Sequence, residues 1–284
     1  MGGSPTAGSA DTATGRTPDF NRPPVVEVAI SVHFDELGGF KPLHFGLLWE
    51  RLRDRYPKTE FYPAVGPTIE LFDTKGAPNV AFRFDTNLPV GRCWYLNESG
   101  TELLQVQPDR VTLNWRKLDK DIDYPHYNNL KVRFQRELAL VLAFFEEHSL
   151  GTFQPLQCEL TYVNHLLQGD GWDSPKDLGQ VVSLWSGGTS EEFLPAVEDV
   201  RFSCQYRMEE RGVPRGRLHV ELQSAQRASD RKRLLALHLV ARGAPLAGSV
   251  DGVLGFTDLA HEWIVRGFAA ITTKRMHKHW ERIA

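Results

Sequence analysis

Side chains alternate with period two through VVEVAISVHF. Val26, Val28, Ile30, Val32 and Phe34 fall on one face, Glu27, Ser31 and His33 on the other. Such a strand is stable only with its apolar face covered, while its polar face is left to water or a ligand. The next segments supply a cover. Pro42 opens a helical stretch, PLHFGLLWERLRDRYP, with Phe45, Leu48, Trp49 and Leu52 at helical spacing, and Pro57 stops it. TIELFD, NVAFRFDT, RCWYLN, ELLQVQ and RVTLNW then read as strands. Turn chemistry at Asn97 to Gly100 and at Pro108-Asp109 joins them into an antiparallel meander. A long amphipathic helix follows over residues 127–148, with Leu130, Phe134, Leu138, Ala139 and Leu142 on its inner face.

The second half repeats this order. Residues 156–167 (LQCELTYVNHLL) read as a strand, and DSPKDLGQVVSLWSG as a helix with Ser174 capping before Pro175. Strands are expected at residues 197–209, 216–226 and 232–242, and a last long helix at residues 257–282. Aligning YNNLKVRFQRELALVLAFFEEH with FTDLAHEWIVRGFAAITTKRMH matches Tyr127 to Phe256, Leu130 to Leu259, Phe134 to Trp263 and Leu142 to Ile271. The expectation is an α+β protein of two similar strand–helix–antiparallel meander–long helix halves. They would span residues 23–150 and 151–284, related by internal duplication, with helices packed on one face of curved antiparallel sheets. Residues 1–22 carry almost no large apolar side chain and read as a disordered lead.

Charge and composition exclude several classes. Lys plus Arg is 33 against 36 for Asp plus Glu, a net charge of −3, so the surface as a whole is not built for a polyanion. Cys93, Cys158 and Cys204 are too far apart for a metal knuckle and odd in number, which predicts a reducing, cytoplasmic setting. No apolar run reaches the roughly 18–20 residues of a membrane span.

Catalytic and cofactor motifs fail on inspection. His261-Glu262 begins a zinc-protease motif, but position 265 is Val rather than the second His. His277 and His279 stand two apart on a helix and point away from each other, so no metal site is expected. Ser249 sits in AGSVD, which is not a nucleophile elbow, and Gly187-Gly188-Thr189 lacks the lysine of a phosphate loop. No catalytic residue and no cofactor are assigned. Trp115, Tyr124, His126 and Tyr127 stand among Arg116, Lys117, Lys120 and Lys131, a pattern that suits base stacking. However, Trp115 shares its face with Val111 and Leu113 and reads as core.

The informative set is the polar alternation of the meander strands: Arg83 and Asp85, Gln105 and Gln107, Arg110, Thr112, Asn114 and Arg116, then His219, Glu221 and Gln223. Arg83, Gln105, Asn114, Arg116, His219 and Glu221 are the residues expected to bind a protein partner or small ligand. Lys274, Arg275 and Lys278 are the alternative, as a nucleic-acid contact at the basic end of the last helix. A hydrolase site assembled between the halves is the remaining reading.

PPVVEVAISVHFDEL, LLQVQPDRVTLNWRK with the following YPHYNNL, TYVNHLL and AHEWIVRGFAAIT together resemble the sporadically distributed bacterial family of uncharacterised proteins, over residues 23–280. That resemblance implies no activity, cofactor or catalytic residue. Its scattered occurrence implies mobile genes, such as defence or toxin–antitoxin components.

Overall fold

The structure, a computed structural model, describes residues 16–66, 68–72, 90–119, 122–185, 193–195, 197–210, 212–227 and 229–284. In chain order the elements are β1 (Val25–Phe34), α1 (Leu43–Leu52), β2 (Lys58–Tyr62), β3 (Arg92–Leu96), β4 (Glu102–Gln107), β5 (Arg110–Arg116), α2 (Tyr127–Glu147) and β6 (Pro155–Leu167). They continue with α3 (Leu178–Val181), β7 (Arg201–Glu210), β8 (Val213–Gln226), β9 (Arg233–Gly243), α4 (Val250–Ile271) and α5 (Lys274–His279). All nine strands join one antiparallel sheet in the order β2-β3-β4-β5-β1-β6-β9-β8-β7. β1 and β6 pair at its centre. Outward from that pair β5, β4, β3 and β2 follow on one side and β9, β8 and β7 on the other, each in reverse chain order.

The period-two pattern decides which face is covered. Val28, Ile30 and Val32 of β1 line up with Trp115, Leu113 and Val111 of β5 and with Tyr162, Leu160 and Cys158 of β6, and all are buried. α1, α2 and α4 pack on this side. Tyr95 donates to the Phe45 carbonyl of α1 at 2.9 Å, Phe34 meets Phe145 of α2 with ring centroids 6.0 Å apart, and Tyr162 bonds His261 of α4. Phe134, Phe144 and Phe256 are completely buried there, each burial contributing about 1.5–3 kcal/mol. Gly243 makes one close approach possible. A Cβ there would stand 2.7 Å from the Phe256 ring and closer still to the Arg215 carbonyl.

Four expectations change. Residues 19–22 are docked: Phe20 is buried, packs edge-on against Phe268 at 5.5 Å, and its neighbours Asn21 and Arg22 donate to the carbonyls of Glu281 and Trp280. One aromatic anchor outweighs the polar composition around it, whereas residues 1–15 lie outside the described residues. The helix expected after Ser174 shrinks to a 3-10 turn, Pro175–Asp177, and the four residues of α3. The last helix begins earlier, at Val250, where Ser249 accepts from Gly252 N, and stops at Thr272. Thr272 and Thr273 are extended, and the Thr273 hydroxyl caps the separate α5. Residues 68–72 of TIELFD form no strand, their backbone being held by side chains of the polar sheet face, and Asp73 lies outside the described residues. β2 was not foreseen, since all five of its residues are exposed and carry no burial pattern.

Candidate functional site

The face opposite the helices carries the polar alternation set. Cross-strand register aligns Trp94, Gln105, Thr112, Ser31, Glu159, Arg242 and Arg217 in one row from β3 to β8. Two clusters form on it.

The first spans β3, β4, β5 and β1. Arg92 Nη1 donates to Gln105 Oε1 at 2.8 Å, Gln105 Nε2 to Asn114 Oδ1 at 2.6 Å, and Asn114 Nδ2 to Glu27 Oε1 at 2.7 Å. Arg92 and Arg116 lie over the Trp94 ring at 5.3 and 5.7 Å, and Tyr62 packs against it at a tilt with centroids 4.3 Å apart. Several donors here are buried without a hydrogen-bond partner: Arg92 Nε, Arg110 Nε, Arg116 Nε and Trp94 Nε1. His33 Nδ1 is likewise unpartnered, and burial together with the charges of Arg110 and Arg242 pushes the ring's pKa down to about 3.

The second cluster spans β6, β9 and β8. Glu70, brought across the face by the chain after β2, is held by Arg217, His219 and Arg242. Arg217 Nη1 donates to Oε2 at 2.6 Å, His219 Nε2 lies 2.5 Å from Oε1, and Arg242 Nη1 reaches Oε1 at 3.2 Å. Arg242 also donates to Glu159 at 2.6 Å. Burial alone would raise the Glu70 carboxyl, but the hydrogen bonds from His219 and Arg217 and the Arg242 charge hold it at about 2.

Gln105, Asn114 and Arg116 thus share the first cluster, while His219 belongs to the second. β4 and β8 are five strand positions apart, about 24 Å at ~4.8 Å per step. Glu221 is exposed, paired in register with His238 and Ser203, and enters neither network. Arg83, Asp85, Lys120 and residues 187–192 lie outside the described residues. Arg92, Arg217, Arg242, Gln157 and Glu70 were not singled out in the sequence. The alternation carried Arg217 and Arg242, but Glu70 sat within the misread TIELFD. Lys274, Arg275 and Lys278 are exposed on the six-residue α5. His277 bonds Thr272 and His279 bonds Asp170, pointing apart as their spacing demands.

The helix side holds a cavity of about 320 Å³ between α2, α4 and β6, lined among others by Tyr124, His126, Tyr162, His261 and Phe268. Tyr124 and Tyr162 share a 2.7 Å hydroxyl contact, and Tyr162 meets His261 Nδ1 at 3.1 Å. His261 lies flat on Tyr127 at 4.0 Å, and Tyr127 donates to Asp258. Burial raises all three phenols and lowers His261 to about 4. At neutral pH the three phenols and the His261 ring are therefore uncharged hydrogen-bonding groups, and among the described residues the lining includes no serine or cysteine. Among the described residues no group of three or more His, Cys, Asp or Glu is arranged to hold a metal ion, and no helix is long and apolar enough to cross a membrane. No family model, curated protein or solved structure matches the chain.

Proposed function

We propose that the protein is a non-catalytic recognition module that binds an anionic ligand on the polar face of its sheet. The observation that carries this reading is the set of buried, unpartnered donors on that face: Arg92 Nε, Arg110 Nε, Arg116 Nε and Trp94 Nε1. Each such group costs about 1–3 kcal/mol when left unsatisfied. A carboxylate or phosphate offers only acceptors, and its oxygens match the guanidinium fork. Isothermal titration of the full chain with succinate at fixed ionic strength tests the reading. Saturable binding is expected, weakened at least about tenfold in R92A/R116A because hydrogen bonds to charged groups are worth about 1.5–3 kcal/mol each. Heat that does not saturate, or affinity unchanged in that variant, would count against it.

A second reading is single-stranded nucleic acid, favoured by the Tyr62 and Trp94 rings beside Arg92 and Arg116. Oligothymidylate binding that falls steeply with salt separates it from the first. The reversed strand order on the two sides of β1 and β6 supports a duplicated origin, in which the halves diverged where β2 has no counterpart and α3 replaces a longer helix.

A further inference from the structure

We propose that the polar face binds an extended acidic peptide of a partner protein, and that residues 65–66 and 68–72 occupy that site in cis. This rests on the recognition reading and names its ligand class. The segment is held through its backbone. Gln107 accepts from the Val65 N–H at 3.2 Å and donates to the Val65 carbonyl at 3.0 Å. Gln157 does the same one step along, accepting from Glu70 N–H at 2.6 Å and donating to the Thr68 carbonyl. Arg110 reaches the Gly66 carbonyl at 3.0 Å and Arg217 the Leu71 carbonyl at 2.9 Å. Both glutamines are buried and fixed on the sheet. Contacts to peptide N–H and C=O groups read no side chain, so any extended chain satisfies them.

Selectivity comes from two positions. Glu70 enters the Arg217–His219–Arg242 clamp, and two residues later the Arg217 guanidinium covers the Phe72 ring at 4.5 Å. The preferred ligand therefore carries an acidic residue followed at the second position by an aromatic one. The segment's own apolar residues do not anchor it: Val65, Ile69 and Leu71 are 39%, 45% and 51% exposed. A strap that served the core would bury them. When Glu70 leaves, Arg242 keeps Glu159, so the clamp retains one partner while it waits for a second carboxylate.

A tethered segment acts at an effective concentration near the millimolar range and masks the site from a free peptide. The test is fluorescence anisotropy with a labelled peptide of residues 64–73, AVGPTIELFD, added to the full chain. E70A is expected to bind it at least about tenfold more tightly than the unmodified protein. Binding should be lost when the peptide's Glu is changed to Gln, or when R217A/R242A is added to E70A. Folding is verified by circular dichroism, and E70Q, which keeps the side chain's shape, replaces E70A if the latter does not fold. A folded variant with no gain in peptide affinity overturns the proposal. So does failure of both variants to fold, because the segment is then a structural strap. Among the described residues, Arg92 and Arg116 do not belong to the side chains that hold residues 65–66 and 68–72. Succinate binding that depends on them, without peptide binding to E70A, would sink this inference and leave the anion reading standing.

Discussion

Lowering the pH from 7 to 5 is expected to remove about 4 kcal/mol of folding stability through two buried histidines. His33 is depressed from its ordinary 6.5 to about 3 by burial and by Arg110 and Arg242. His261 falls to about 4, burial outweighing the nearby charges of Asp258 and Asp19. Both rings stay neutral in the folded chain and protonate near 6.5 once it unfolds. The unfolded state then binds more protons, so stability falls as the pH drops below 6.5 and levels off only below about 3. At pH 5 each histidine accounts for about 2 kcal/mol, at ~1.36 kcal/mol per pH unit. Glu70 works in the same direction but at lower pH: its depressed carboxyl keeps its stabilising contribution above about 4.5 and loses it towards about 2, so it changes little between pH 7 and 5. Urea unfolding at both pH values checks this, and H33Q and H261Q should each lose about half of the pH-dependent difference. Equal stability at pH 7 and 5 would contradict the assignment.

Removing Arg55 and Arg136 together is expected to cost about 3–5 kcal/mol, and replacing Glu137 by methionine less than half as much. The Glu137 side chain of α2 is 0% exposed. Its carboxylate takes two bonds from Arg55, at 3.0 and 2.7 Å, and two from Arg136, at 2.8 and 2.5 Å. The arginines are 36% and 52% exposed and can recover water when the carboxylate is gone. Glu137 cannot, so R55A/R136A strands a buried charge, whereas E137M fills the same space with an apolar chain. Denaturant midpoints for the two variants give the comparison. A double arginine variant that costs no more than about 1 kcal/mol, or an E137M that costs as much as the double variant, would show that the carboxylate is not isolated.

Much of the fold was legible because burial and period two coincide. Val28, Ile30 and Val32 needed a cover, and the inner faces of α2 and α4 supplied it. What misled was local composition overruled by contacts distant in sequence. Phe20 docks against Phe268 and Trp280, roughly 250 residues away, and no window around residues 1–22 carries that information. Thr272 and Thr273 interrupt an apolar periodicity that runs on into Met276, because Val182 bridges to Thr272 and Thr273 caps the next turn. The site divides the same way. Gln105 and Asn114 could be placed together from alternation alone, since β4 and β5 are joined by a tight turn. Which cation would meet which carboxylate could not, because Glu70 crosses to β8 and β9 from a segment whose apolar–polar pattern resembles a strand. TIELFD alternates like its neighbours, yet over residues 68–72 its backbone is met by the side chains of Gln157 and Arg217 rather than by another strand.

On the proposed function, a ligand binds the polar face and not the helix-side cavity. Nuclear magnetic resonance of the arginine Nε–H groups in the full chain, during a titration with succinate, reads this most directly. The resonances of Arg92, Arg110 and Arg116 should shift together and saturate while the His261 ring signals stay in place. Three fixed arginine signals, or a response confined to His261 across the sheet, would contradict it.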